Sequence, residues 1–193
     1  MVGYDQNPVF SPDGKYLAWE SMARDGYEAD KIRLFVANLE TGEKRDYSEH
    51  FDQNSASLVW SADSKSIYFL SNAQGTDEIH RLDLGDGSIV RLTDGMHDYQ
   101  SVAQAGDQLV AQKVSMSQPA ELYRVNPVTG KDEALTAVNK GILDQLTFGK
   151  VEERWLPTTD GKQMHTWIIY PHHFDPSKKY PALLYNGGGP QST

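Results

Sequence analysis

The sequence contains no cysteine among its 193 residues. Disulfides, zinc–thiolate centres and thiol nucleophiles are thereby excluded, but the absence does not reveal the compartment. Long hydrophobic runs are missing too. "WIIY" and "ALLY" are the longest, far short of the roughly 18 residues a membrane helix needs, so no membrane span is expected. The opening "MVGYDQNPVF" has neither a basic start nor an apolar stretch, and no signal peptide is expected there. No five like charges occur in succession, and the net charge is −9. Without a basic face to track phosphates, a nucleic-acid partner is not expected. The sequence also lacks a G-x-S-x-G nucleophile turn. No motif requires a cofactor. The adjacent His172 and His173 have no carboxylate helix beside them and, on a strand or loop, are expected to point apart, so no metal site is expected.

What the sequence does contain is a repeat. "VFSPDGKYLAW" (9–19) and "LVWSADSKSIYFLS" (58–71) resemble each other, with a degenerate third copy in "SVAQAGDQLVAQ" (101–112). Each is followed by a second pattern: "LFVANLETGEKRDYS" (34–48), "EIHRLDLGDGSIVRLT" (78–93) and "ELYRVNPVTGKDEALT" (121–136). The turn glycines of that pattern, Gly42, Gly87 and Gly130, stand 45 and 43 residues apart. A period in this range with four short strands per unit is the signature of a β-propeller blade. Within each unit Asp13-Gly14 and its counterparts mark tight turns, and Leu17 and Trp19 alternate with Tyr16 and Ala18 as a pleated strand requires. Trp19, Trp60 and Tyr68 are expected in the blade cores. The fold class read from this is all-β: about three four-stranded blades of a partial β-propeller over residues 1–145. An unrelated β-sandwich with short hairpins is the alternative. Propellers close with roughly four to eight blades, so a longer propeller is expected, and exposed blade edges could support self-association.

After "LTAVNKGILDQLTFGK" the repeat stops. "VEERWLPTTDGKQMHTWIIYP" (151–171) reads as two strands joined at Asp160-Gly161, and "ALLYN" as a third, apolar on both sides and so expected to be buried in a sheet. "GGGP" follows as a turn into a helix.

A propeller running into "DGKQMHTWIIYPHHFDPSKKYPALLYNGGGPQS" resembles the prolyl oligopeptidase family of serine peptidases, and the ending looks most like its dipeptidyl peptidase 5 and acylaminoacyl peptidase branches. The resemblance implies that residues 146–193 are the first strands of an α/β-hydrolase domain capped by the propeller, which gates substrate access. It implies a peptide substrate, acyl-enzyme hydrolysis releasing dipeptides or acylated amino acids from N-termini, and the remainder of the hydrolase domain as the partner of this stretch. The triad Ser, Asp and His would follow the glycine turn, and the 193 residues alone are expected to be inactive. Matching "NGGGP" to the family's "HGGP" loop puts Gly187 at the histidine and Gly188 and Gly189 at the oxyanion-hole glycines, with Gly189 the preferred N–H donor. A side chain that some branches place at Gly187 is absent, which implies backbone donors alone. A plain strand-to-helix turn is the alternative reading of these glycines.

The stretch "ESMARDGYEADK" (20–31) is longer than a hairpin needs and joins the second and third strands of its blade. It carries Glu20, Asp25, Glu28 and Asp30, and the resemblance implies a use for Glu20 and Glu28 in holding the substrate's ammonium group; a plain solvated acidic loop is the favoured reading of these carboxylates. Two other functions remain: a non-enzymatic propeller that binds proteins, which would not require "GGGP", and an esterase, which would not require a propeller lid.

Overall fold

The computed structural model describes residues 3–27 and 29–185. Three antiparallel four-stranded sheets follow one another along the chain, each with its strands in sequence order. The first blade holds β1 (Asp5–Phe10), β2 (Tyr16–Ser21), β3 (Arg33–Asn38) and β4 (Lys44–Asp46). The second holds β5 (Ala56–Trp60), β6 (Ser66–Ala73), β7 (Thr76–Asp83) and β8 (Ile89–Arg91). The third holds β9 (Asp98–Ala105), β10 (Gln108–Ser115), β11 (Gln118–Val125) and β12 (Asp132–Ala134). The expected blade grammar is present in all three.

Local hydrogen bonds explain why the units repeat. At the first turn Ser11 Oγ donates to Asp13 and accepts the Tyr16 N–H at 3.0 Å. The second blade does the same with Ser61, Asp63 and the Ser66 N–H at 2.9 Å. The residue that needs a positive φ is Gly14 (+71°) in one turn and Ser64 (+60°) in the other, so the side-chain bonds hold the turn even without glycine. A second device closes each blade. Two residues beyond the fourth strand a hydroxyl accepts a third-strand N–H: Leu34 to Ser48, Ile79 to Thr93 and Leu122 to Thr136, each at 2.9 Å. These hydroxyls keep the same 45- and 43-residue spacing as the glycines, and each satisfies a backbone donor that the short fourth strand leaves open.

Packing runs between blades. Ala18, Leu34 and Val36 of the first blade meet Leu58, Trp60, Ile67, Phe69 and Leu82 of the second. Tyr68, Leu70 and Ile79 of the second meet Tyr99, Val102, Leu109, Ala111, Tyr123 and Val125 of the third. Successive residues of β6 therefore serve opposite cores, Ile67 and Phe69 on one side and Tyr68 and Leu70 on the other, which is why "IYFL" is apolar without alternation. Trp19, Trp60 and Tyr68 are buried as expected.

Beyond the blades a short helix, α1 (Lys140–Leu143), which the sequence reading did not anticipate, precedes a hairpin of β13 (Val151–Pro157) and β14 (Gln163–Ile169). The hairpin turns at Asp160-Gly161 as expected, with Gly161 at φ +80°. One expectation is overturned. Ala182–Tyr185 forms no strand, and Leu183 and Tyr185 are 102% and 90% exposed. A strand that is apolar on both sides needs a hydrogen-bonded neighbour and two covering layers, and none lies beside this segment among the described residues.

Candidate functional site

In an up-and-down blade the turn between the second and third strands and the connection to the next blade emerge at the same end. In the second blade that turn is Gln74-Gly75, with φ +57° and +78°, the two positive values a tight two-residue hairpin requires. In the third it is Met116-Ser117, bridged by the Ser115–Gln118 pair. The connection over 92–97 lies between them. The β13–β14 hairpin lies against this end and encloses two adjoining clefts. One, of about 230 Å³, is bounded by Gly75, Met96, His97, Asp98, Met116 and Trp167. The other, of about 210 Å³, lies among Gln74, Arg91, Asp94, Met96, Glu153 and Trp167. Met96, Met116 and Trp167 give these clefts apolar walls beside carboxylates and an imidazole. A larger hollow of about 510 Å³ lies at the opposite end of the third blade, among Asp107, Arg124 and Lys131, away from the hairpin.

The hairpin presents an aromatic cluster to the clefts. His165 packs between Trp155 and Trp167, at ring-centre distances of 4.6 and 4.9 Å, with Nε2 3.1 Å from a Glu153 oxygen. Behind the connection is a fully buried carboxyl group, Glu78 of β7. The Thr93 hydroxyl donates to its Oε2, while Oε1 has no hydrogen-bond partner. Arg91 Nη2 stands 3.6 Å from Oε1 but is drawn toward Asp94 at 2.7 Å. His97 Nε2, itself buried without a hydrogen bond, is 3.8 Å from Oε2, close enough for charge interaction only. Burial pushes the Glu78 carboxyl up to about 7, against the opposing effects of Thr93 and Arg91. Burial also lowers His97, with Lys113 acting in the same direction.

The residues expected from sequence are placed unevenly. Glu28, Gly188 and Gly189 lie outside the described residues. Glu20 is not a loop residue: it stands near the end of β2 and is only 3% exposed. Its Oε2 accepts from Asn7 Nδ2 at 2.9 Å and its Oε1 from the Ser57 N–H at 2.8 Å. Asn7 and Ser57 are the positive-φ residues at the bulges of β1 and β5 (φ +51° and +57°), so this carboxylate pins the irregular first strands of two neighbouring blades. The loop that follows is closed by an ion pair between Arg24 and Asp30, with Arg24 lying over the Tyr27 ring at 3.7 Å. By the topology of its blade it leaves from the same end as Gln74-Gly75. His172 and His173 do not point apart; their rings meet edge-on with centres 3.6 Å apart. Among the described residues no group of three or more histidines and carboxylates could hold a metal.

Sequence reasoning missed Glu78, Arg91, His97 and the hairpin aromatics. A signal existed for the first two: aligned on the turn glycines, Arg33, Glu78 and Glu121 share one position and Asp46, Arg91 and Ala134 another. The first blade thus carries the same ion pair with its charges exchanged, Arg33 to Asp46 at 3.9 Å.

Comparison with known proteins bears on the whole chain. No family model matches it. It is 49% identical over all 193 residues to a dipeptidyl-peptidase 5 of Porphyromonas gingivalis, of whose length it spans 28%. Among solved structures it is similar to the acylaminoacyl peptidase of Pyrococcus horikoshii, with a TM-score of 0.72 at 18% identity, over 91% of this chain and 26% of that one. It is also similar to the β-propeller domain of the trilobed protease from Pyrococcus furiosus, with a TM-score of 0.57 at 19% identity, over 76% of this chain and 41% of that one.

Proposed function

Because the chain is, by sequence and by fold, a stretch of the prolyl oligopeptidase family related to dipeptidyl-peptidase 5, we propose that it forms the junction between the propeller and the catalytic half of a serine exopeptidase. On this reading residues 1–145 belong to the propeller and 146–193 open the α/β-hydrolase domain. The enzyme releases dipeptides or acylated amino acids from peptide N-termini by way of an acyl-enzyme, and the propeller controls access. The observation that carries it is the end-to-end match, which runs through the hairpin and the glycine turn. A propeller used only to bind proteins has no need of either.

Each part has a chemical task. The backbone N–H of Gly189, beside Gly188, donates to the oxyanion as the tetrahedral intermediate forms, and a donor held there in advance contributes roughly 3–4 kcal/mol to catalysis. Glycine leaves the substrate carbonyl free to approach the backbone. The ammonium group of a free N-terminus needs a carboxylate at the propeller face. Glu28 suits this role better than Glu20, whose two oxygens already accept bonds within the blades.

The test uses the full-length gene product that contains these residues, with dipeptidyl and acyl-aminoacyl chromogenic substrates. Turnover blocked by a serine-directed phosphonate is expected; absence of turnover of both substrate types would overturn the reading. Glu28→Gln should raise KM for substrates with a free amine and leave N-blocked ones unchanged. Glu20→Gln should lower the unfolding midpoint and affect both substrate types alike.

A further inference from the structure

The two-residue turn of the second blade meets the hairpin at a specific point. A Cβ added at Gly75 would lie 2.6 Å from His165 Cε1, 2.7 Å from His165 Nδ1 and 3.3 Å from Trp167 Nε1. Two of these distances are shorter than any side chain tolerates. Moving the His165 ring aside would disturb its contacts with Trp155 and Trp167 and its approach to Glu153. The turn glycines Gly14, Gly26, Gly42, Gly106 and Gly161 have φ values just as positive, yet a Cβ there would meet nothing within 4 Å. Gly87 and Gly130 have neighbours, but these come from the blades themselves. Among the described turn glycines, Gly75 is the one whose missing side chain makes room for the hairpin.

We infer that Gly75 is a docking notch: the second blade seats the imidazole of His165 there, and this contact positions the hairpin, and with it the catalytic half, over the propeller. Gly75 and His165 are thus positioning residues for the proposed reaction. The notch also sets the width of the two clefts, since Gln74, Gly75 and Trp167 line them. The inference rests on the reading that the hairpin opens the hydrolase domain.

The test is a double-mutant cycle in the full-length protein. Gly75→Asn keeps the turn, because asparagine accepts positive φ, and drives a side chain into His165. Gly42→Asn, at φ +74° in open space, is the control for backbone strain. His165→Ala empties the seat. With active sites counted by phosphonate titration well below the unfolding midpoint, Gly75→Asn should lower kcat per site by roughly tenfold to a hundredfold, with little change in KM. The Gly75→Asn/His165→Ala double variant should regain part of that loss, up to the level of His165→Ala alone, and Gly42→Asn should lose none. Equal kcat for Gly75→Asn and Gly42→Asn, or failure of His165→Ala to rescue, would overturn the positioning role. Unfolding midpoints of the same four proteins decide the contact separately: the double variant should be less destabilised than the sum of the singles, and additive shifts would show that no notch contact exists. An unsubstituted protein without peptidase turnover would sink the functional reading, while the midpoint cycle would still decide the docking.

Discussion

The second and third blades carry a glutamate at the same place in the repeat, and the two carboxyl groups have opposite character. Both accept a hydrogen bond from the threonine that closes their blade, Thr93 for Glu78 and Thr136 for Glu121. Glu121 also accepts the Asn139 N–H at 3.1 Å, so both its oxygens are occupied, and its acidity is increased by the Thr136 hydroxyl and that backbone bond. Glu78 has no second donor, and burial between two blades outweighs Thr93 and Arg91, raising it to about 7. A repeat therefore copies the position of a group without copying its chemistry. The chemistry follows from what the neighbouring elements supply.

The largest test of this contrast is pH dependence. Glu78 has a folded value raised from 4.5 to about 7, so the folded state binds more protons than the unfolded one between those limits. Stability from this group is complete below 4.5 and declines as pH rises toward 7, a change on the order of 3 kcal/mol. Glu78→Gln should flatten that decline in unfolding measurements from pH 5 to pH 8. Glu121 runs the other way: its lowered value contributes stability above the ordinary carboxylate range, which is lost as pH falls through the folded value. A decline that survives Glu78→Gln would show that Glu78 is not the group responsible for it.

A smaller difference is expected from the threonines. Thr93→Val leaves the Ile79 N–H without an acceptor and the buried Glu78 without a donor, and should cost about 2–3 kcal/mol at pH 7. Thr136→Val leaves Glu121 its backbone donor and should cost about 1 kcal/mol in the same denaturant titration. Equal costs would mean that the position in the repeat, rather than the surroundings, sets the energetics.

The smallest effect belongs to Arg91. Its guanidinium lowers Glu78 across 3.6 Å while it is engaged with Asp94. Arg91→Met should move the pH window of Glu78 upward by less than about one unit, readable from the midpoint of the stability decline. A downward movement would contradict the placement of that charge.

Much of the blade architecture was legible because its chemistry is local. "SPDG" and "SADS" are turns fixed by bonds two and five residues long, and the glycine and hydroxyl spacings repeat with them. What was not legible depends on distant partners. Glu20 reads as the start of an acidic loop until Ser57, 37 residues away, is seen to hold it. Glu78 and His80 open the repeat pattern "EIHRLD", and nothing local there shows that neighbouring elements cover them. "ALLY" reads as buried, but burial needs layers that the described residues do not provide. Glu28, Gly188 and Gly189 lie outside the described residues and stay proposals.

The strand β6 has one further consequence. Because its alternate residues complete two different cores, the second blade cannot melt by itself without stripping apolar cover from both neighbours. Cooperativity then passes from blade to blade as nearest-neighbour coupling. The three blades are therefore expected to unfold together, with damage in the middle blade weakening both neighbours.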